Sequence, residues 1–212
     1  DALPILVPVI DSGQGACIAA AARPPPAGTV VDWAVRMRRF DDQWLFSRLA
    51  ARGQLSAEQV DALAAAVAAF HNSLPPSPPG FGDPQAVRAM VALNLQELAS
   101  LLAGPAWHGV PGATTAAQTV AGLRAWADTR GVALAGLMQA RLTAGQVREG
   151  HGDLHLGNVV WADGAPVLFD ALAFDATLRH TDLVGDLAFT FMDLLAAGVP
   201  ALAWRLASGW LD

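Results

Sequence analysis

The chain contains no lysine and no tyrosine, and all 13 of its basic residues are arginine. A mechanism that draws on a lysine amine from this chain is therefore excluded. A single cysteine, Cys17, rules out an internal disulfide framework and fits a reducing compartment, so a cytoplasmic location is expected. Charge is sparse too: 15% of the 212 residues are charged and the net charge is −6, which disfavours a non-specific nucleic-acid surface. Hydrophobic residues reach 53%, largely as alanine. No window offers the continuous apolar span of about 20 residues that a bilayer needs, so no membrane span is expected. The N-terminus has no basic stretch followed by an apolar run, and no secretory signal is visible.

The chemistry-bearing residues concentrate in Arg148-Glu149-Gly150-His151-Gly152-Asp153-Leu154-His155-Leu156-Gly157-Asn158. An Asp, a His and an Asn stand there close together on a glycine-punctuated loop. Val159-Val160-Trp161 and Pro166-Val167-Leu168-Phe169 then read as two strands. Between them, the Asp-Gly pair of Ala162-Asp163-Gly164-Ala165 suits a tight turn at positive φ. An antiparallel return of that length predicts Asp170 beside Asn158, so that Asp153, Asn158 and Asp170 converge. Asp and Asn oxygens are hard ligands, suited to Mg²⁺, which takes a few protein oxygens plus water and phosphates. An uncoordinated Asp nearby can orient a hydroxyl nucleophile and accept its proton. The Asp-x-His element also occurs in two-metal phosphoesterases, which need further ligands. Only His71, His108 and His180 are left to supply them and no Gly-Asn-His-Asp follows, which disfavours that reading.

The run His151 to Asn158, followed by Val167-Leu168-Phe169-Asp170, resembles the H-G-D-x-H-x-x-N pattern and Asp-terminated strand of the aminoglycoside phosphotransferase-like family, a branch of the protein-kinase-like superfamily. The segment from Leu178 to Phe189, with Asp186-Leu187-Ala188, is similar to the D-L-A segment that follows in that family. The resemblance covers residues 148 to 193. It implies an α+β, mostly α fold: a protein-kinase-like large helical lobe with a catalytic-loop hairpin over residues 41–212, and remnant β-strands of the small lobe with the hinge over 1–40. It implies an ATP- and Mg-dependent phosphotransferase that acts on a hydroxyl of a small-molecule acceptor, a metabolite or an aminoglycoside-like compound.

In that family pattern Asp153 orients the acceptor hydroxyl and His155 donates to the transferred phosphoryl group. Asn158 and Asp170 hold Mg²⁺, and His151 fixes the loop. Met37, Arg38 and Arg39 leave the last small-lobe strand into the hinge that holds the nucleotide; the arginines there either touch phosphate or an acidic substrate, or stand as solvated strand-end charges. The sequence also departs from the pattern. Ala171-Leu172 stand where kinases usually show Phe-Gly, and Ala173 stands where relatives often carry an acid. The lysine-bearing strand and phosphate-covering loop do not precede the strand at Thr29. An incomplete enzyme and a non-catalytic, kinase-derived binding module are both open. The sequence gives no oligomeric state.

Elsewhere the sequence predicts scaffold. Residues 3–10 read as a strand that Pro4 and Pro8 confine to an edge or an end, and Cys17 to Ala22 as a short strand. Pro24 to Gly28 reads as a loop, and Thr29 to Met37 as a strand with Val31, Trp33, Val35 and Met37 on one face. Asp41 or Asp42 caps a helix to Arg52, which Gly53 ends. Ser56-Ala57-Glu58-Gln59 opens the next helix as a capping box, with Val60, Leu63, Ala64, Val67, Phe70 and a packed His71 along one face. Asp83-Pro84 starts a helix to Leu102. Its stripe of Val87, Met90, Val91, Leu98, Leu101 and Leu102 contains Asn94, either hydrogen-bonded in the core or turned to the site. A further helix spans Thr114 to Leu142 with an interruption at Arg130-Gly131. Asp182, Asp186 and Asp193 fall close to one helical face, as a metal triad, or with Asp186 and Asp182 accepting loop amides.

Overall fold

Caps and positive-φ turns set the element boundaries of the computed structural model, which describes residues 5–11, 13, 15–18, 29–36 and 39–212. Pro4, residues 19–22, the Pro24 to Gly28 loop, Met37 and Arg38 lie outside the described residues. The chain divides into two compact units, Asp1–Asp42 and Gln43–Asp212.

In the first unit β1 (Ile5–Asp11), β2 (Ala16–Ile18) and β3 (Thr29–Arg36) form an antiparallel sheet in the order β2-β1-β3. β1 is therefore the central strand, where its prolines suggested an edge or an end. Pro8 is tolerated because β2 pairs only with Val9 to Asp11, so Pro8 faces a neighbouring strand on one side, at Trp33. A register shift between Val9 and Ile10 lets Val7 and Ile10, three residues apart, both be buried. The β3 face of Val31, Trp33 and Val35 is exposed.

The second unit is mostly helical. A 3-10 turn at Asp42–Trp44 precedes α1 (Phe46–Ala51). That turn leaves Leu45 as the N-cap with no side-chain bond, so neither Asp41 nor Asp42 caps α1. Gly53, at φ +64°, ends α1 as its position predicts. Its N–H donates to Ala50 O at 2.9 Å and that of Gln54 to Leu49 O at 2.8 Å, the paired closure of a left-handed C-terminus. α2 (Ala57–Ser73) opens with the reciprocal box: Gln59 N–H to Ser56 Oγ at 3.2 Å, Ser56 N–H to Gln59 Oε1 at 3.0 Å. It buries Val60, Leu63, Ala64, Val67 and His71.

α3 (Pro84–Leu102) starts on Asp83, whose Oδ1 accepts the Gln85 and Ala86 amides. α4 (Ala113–Thr143) runs 31 residues without the break expected at Arg130-Gly131. Gly131 serves a close approach instead, since a Cβ there would lie 2.9 Å from Arg88 Nε of α3. α3 and α4 pack against each other. The predicted core stripe of α3 is not core: Val91, Leu98 and Leu101 are exposed, and so is Asn94, which excludes the buried role for that amide. Periodicity identifies a helix face but not what covers it.

The remaining elements are β4 (Val147–Glu149), β5 (Val159–Ala162), β6 (Ala165–Leu168), α5 (Ala176–Arg179), β7 (His180–Asp182), α6 (Leu183–Ala196) and α7 (Pro200–Leu211). β4 pairs with β7, and β5 with β6, both antiparallel. Phe46, Leu63, Val67, Leu154, Leu187, Leu194 and Leu206 form one core joining α1, α2, the loop before β5, α6 and α7. Each fully buried leucine contributes roughly 1.5–3 kcal/mol. The architecture is α+β and mostly helical. Among the described residues, no helix is long and apolar enough to cross a membrane.

Candidate functional site

The β5–β6 hairpin follows from its turn. Ala162 pairs with Ala165, leaving Asp163 and Gly164 as a two-residue connection at φ +52° and +83°. Two positive φ values define the hairpin turn whose twist matches the flanking strands. Val159 then pairs with Leu168, and Phe169 N–H donates to Asn158 O at 3.1 Å. Asp170 is the next residue. It is exposed and sits at φ +59°, a conformation that Asp and Asn adopt more readily than most side chains.

The loop ahead of β5 alternates. Leu154 and Leu156 are buried in the core, while the side chains of Asp153 and His155 are 40% and 39% exposed. The leucines anchor the loop and leave the polar side chains facing out. Asn158 is buried; its Nδ2 donates to Asp153 O at 2.9 Å and lies 3.4 Å from Asp153 Oδ2. Gly157 N–H donates to His155 Nδ1 at 3.0 Å, which puts the ring proton on Nε2, 3.5 Å from Asp153 Oδ2. A Cβ at Gly157 would stand 2.8 Å from His155 Cε1, so a larger residue there would displace the imidazole.

α6 holds this loop from beneath. Asp186 accepts the His151 N–H at Oδ2 (2.8 Å) and the Gly152 N–H at Oδ1 (2.9 Å). The Thr190 hydroxyl donates to Leu154 O, and Asp193 Oδ2 accepts the Leu156 N–H at 2.9 Å. Residues 186, 190 and 193 share one helical face. Asp186 is fully buried and takes a further bond from His71 Nε2 at 3.0 Å. Burial alone would raise its pKa. The bonds from His71 and from the His151 and Gly152 amides outweigh that and hold it below the ordinary carboxylate range. Gly150 makes room for this acid, as a Cβ there would lie 2.6 Å from Oδ2. His151 Nε2–H donates to Phe169 O at 2.8 Å and Leu172 N–H to His151 O at 2.9 Å, tying the loop to both sides of Asp170.

Of the residues expected in the site, Asp153 and Asn158 are in direct contact, and Asp170 directly follows the backbone partner of Asn158. His151 and Asp186 support the loop. Asp182 does not: it caps α6 through Val184 N–H at 2.9 Å and pairs in bidentate fashion with Arg141, both contacts at 2.7 Å. Those bonds raise the Arg141 pKa against the opposing effect of burial. At the N-terminus of its own helix Asp182 answers the helix dipole and a guanidinium, and the acid that joins Asp186 at the loop is Asp193. The reading of Asp182, Asp186 and Asp193 as a metal triad gives way with it, since each carboxylate is engaged elsewhere. Among the described residues, no three His, Cys, Asp or Glu side chains cluster as a metal site. Arg39 is an exposed residue of the first unit, and Met37 and Arg38 lie outside the described residues.

Two arginines escape sequence reasoning. Arg148 donates from Nε to Gly145 O at 3.1 Å, and from Nη1 to His71 O at 2.9 Å and Leu74 O at 2.8 Å, closing the C-terminus of α2. Arg179 bonds Glu149 Oε1 at 3.0 Å and the carbonyls of Leu172 (3.2 Å) and Ala173 (2.8 Å), bracing the segment after Asp170.

No family model matches the chain. No solved structure matches it. Over 74 residues, 35% of this chain, it is 35% identical to uncharacterized proteins of Mycobacterium tuberculosis (strains H37Rv and CDC 1551) and Mycobacterium bovis. The matched stretch spans 15% of the length of each of these relatives.

Proposed function

We propose that the loop 150–158 is the catalytic loop of a phosphotransferase that moves a phosphoryl group from Mg-ATP, or another nucleoside triphosphate, to a hydroxyl of a small-molecule acceptor in the cytoplasm. The observation that carries this reading is the contact of Asn158 with Asp153, at the end of the hairpin where Asp170 emerges. The donor set suits a hard divalent cation. Asn158 turns its amide nitrogen onto Asp153 O, which leaves Oδ1 as its ligand atom, and Asp170 adds a carboxylate. These are the residues that would hold Mg²⁺. Bound there, the ion neutralises charge on nucleotide phosphate oxygens.

The remaining chemistry belongs to the chain itself. Asp153, partly exposed and held at both its carbonyl and its carboxylate, orients the acceptor hydroxyl and takes up its proton. His155 presents its Nε2 proton beside Asp153 Oδ2, where it serves the carboxylate or an incoming anionic oxygen. The α6 contacts fix the backbone that carries both. Positioning and charge carry most of the catalysis in phosphoryl transfer, so a braced loop is the main contribution required of the protein.

Two substitutions test the proposal. Asp153→Asn is expected to abolish transfer from ATP to hydroxyl acceptors, water included, while sparing nucleotide binding. Unchanged turnover removes Asp153 from its role. Asp170→Ala is expected to weaken Mn²⁺ binding, read by electron paramagnetic resonance with ADP present, by about tenfold or more. Equal affinity in a variant with native circular dichroism refutes the assignment of the metal ligands.

A further inference from the structure

We infer that Trp210, on the last helix, is a positioning residue for the loop 150–158, acting through His71 and Asp186. The inference rests on reading that loop as catalytic. The contacts are continuous: Trp210 Nε1 to His71 Nδ1 at 3.0 Å, His71 Nε2 to Asp186 Oδ2 at 3.0 Å, then Asp186 to the His151 and Gly152 amides. Those amides directly precede Asp153.

An indole N–H can only donate. It therefore requires a lone pair on His71 Nδ1, which places the imidazole proton on Nε2, aimed at the carboxylate. The opposite tautomer would set N–H against N–H on one side and a lone pair against a carboxylate on the other. His71 is 1% exposed and Asp186 fully buried, so water does not relieve either conflict. Trp210 thus selects the tautomer in which His71 donates, and that donation fixes the plane of the Asp186 carboxylate under the two amides.

The other groups facing His71 complete this environment. Arg148 of β4 binds its carbonyl oxygen at 2.9 Å, and Phe70 of its own helix packs at 5.5 Å between ring centroids. The indole meets the imidazole edge-on, at 85°. Trp210 is seated by its own helix. A Cβ at Gly209 would lie 3.1 Å from the Ala64 side chain, so α7 approaches α2 closely there. The pair of Arg205 with Asp61, at 2.6 and 2.7 Å, joins the same two helices one turn away.

Nitrogen-15 NMR of the chain labelled at His and Trp tests the inference in the unmodified protein. The expected result is His71 in the Nε2–H form with a coupling across the hydrogen bond between Trp210 Nε1 and His71 Nδ1. The Nδ1–H form, or no coupling, overturns it, and this arm decides even if a variant fails to fold. The second arm compares Trp210→Phe with Trp204→Phe, an exposed indole of the same helix that rests on Phe191. Trp210→Phe should speed amide exchange at His151 and Gly152 about tenfold, equivalent to about 1.4 kcal/mol, and Trp204→Phe should leave it unchanged. Equal acceleration in both variants, or none in Trp210→Phe, overturns the inference. Neither arm needs turnover. A chain that passes both yet transfers no phosphoryl group sinks the phosphotransferase reading and leaves the link standing, whereas a missing coupling with intact transfer sinks the link alone.

Discussion

Replacing Asp186 by alanine removes the acceptor for three donors at once: the His151 N–H, the Gly152 N–H and His71 Nε2–H. A buried donor left without a partner costs about 1–3 kcal/mol, so a plain sum runs from about 3 to 9 kcal/mol. The lower half of that range applies. Gly152 is only half-buried, water can enter the space left by the carboxylate, and the variant no longer buries an anion. The expected loss is about 4 kcal/mol, a large share of the roughly 5–15 kcal/mol that holds a domain together. Asp186→Asn separates shape from charge. It keeps one acceptor but turns an amide nitrogen onto a donor, for about 2–3 kcal/mol.

Urea unfolding at neutral pH, with the m-value unchanged, reads both variants. The pH dependence supplies a second check. The folded pKa of Asp186 is depressed, so its stabilisation is complete above the ordinary aspartate value, about 3.9, and is lost as pH falls through the lower folded value. The gap between wild type and Asp186→Ala should therefore narrow in acid. A loss below about 1 kcal/mol at neutral pH, or a gap that widens on acidification, refutes the argument that a buried anion orders the loop.

Gly150→Ala should cost about 1–3 kcal/mol, because its Cβ would press on Asp186 Oδ2 from 2.6 Å; an equally stable variant in the same urea assay contradicts this. Arg148→Lys should lose about 2 kcal/mol, since an ammonium cannot reproduce the fork onto Gly145, His71 and Leu74 carbonyls. Arg205→Ala, at a shorter but exposed pair, should lose less, and the reverse order would refute the burial argument. Gly136→Ala, with open space around its site in α4, should stabilise by about 0.8–1 kcal/mol in thermal unfolding. Gly131→Ala should gain less, because Arg88 must shift.

The parts legible in the sequence are those whose causes are local. Asp163-Gly164 carries the positive φ values of its turn, Ser56 and Gln59 cap each other across three residues, and Asp83 meets amides two and three places on. The alternation of Leu154 and Leu156 with Asp153 and His155 is likewise written in the chain. What escapes is the identity of distant partners. Periodicity puts Asp182, Asp186 and Asp193 near one face, but it does not say that Arg141 claims Asp182 while Asp193 reaches Leu156. Nothing near Arg148 announces carbonyls at His71 and Leu74, and nothing near His71 announces Trp210. The stripe on α3 misleads for the same reason: the sequence marks an apolar face, and only packing shows that Val91, Leu98 and Leu101 stay in solvent.

The attachment points on α6 share a rigid rod, which makes the order of the loop a question of phase. Sliding that rod by a single residue would rotate it about 100° and carry Asp186, Thr190 and Asp193 away from their backbone partners together. A substitution that displaces α6, however far from Asp153, would therefore be felt at the His151, Gly152, Leu154 and Leu156 backbone together.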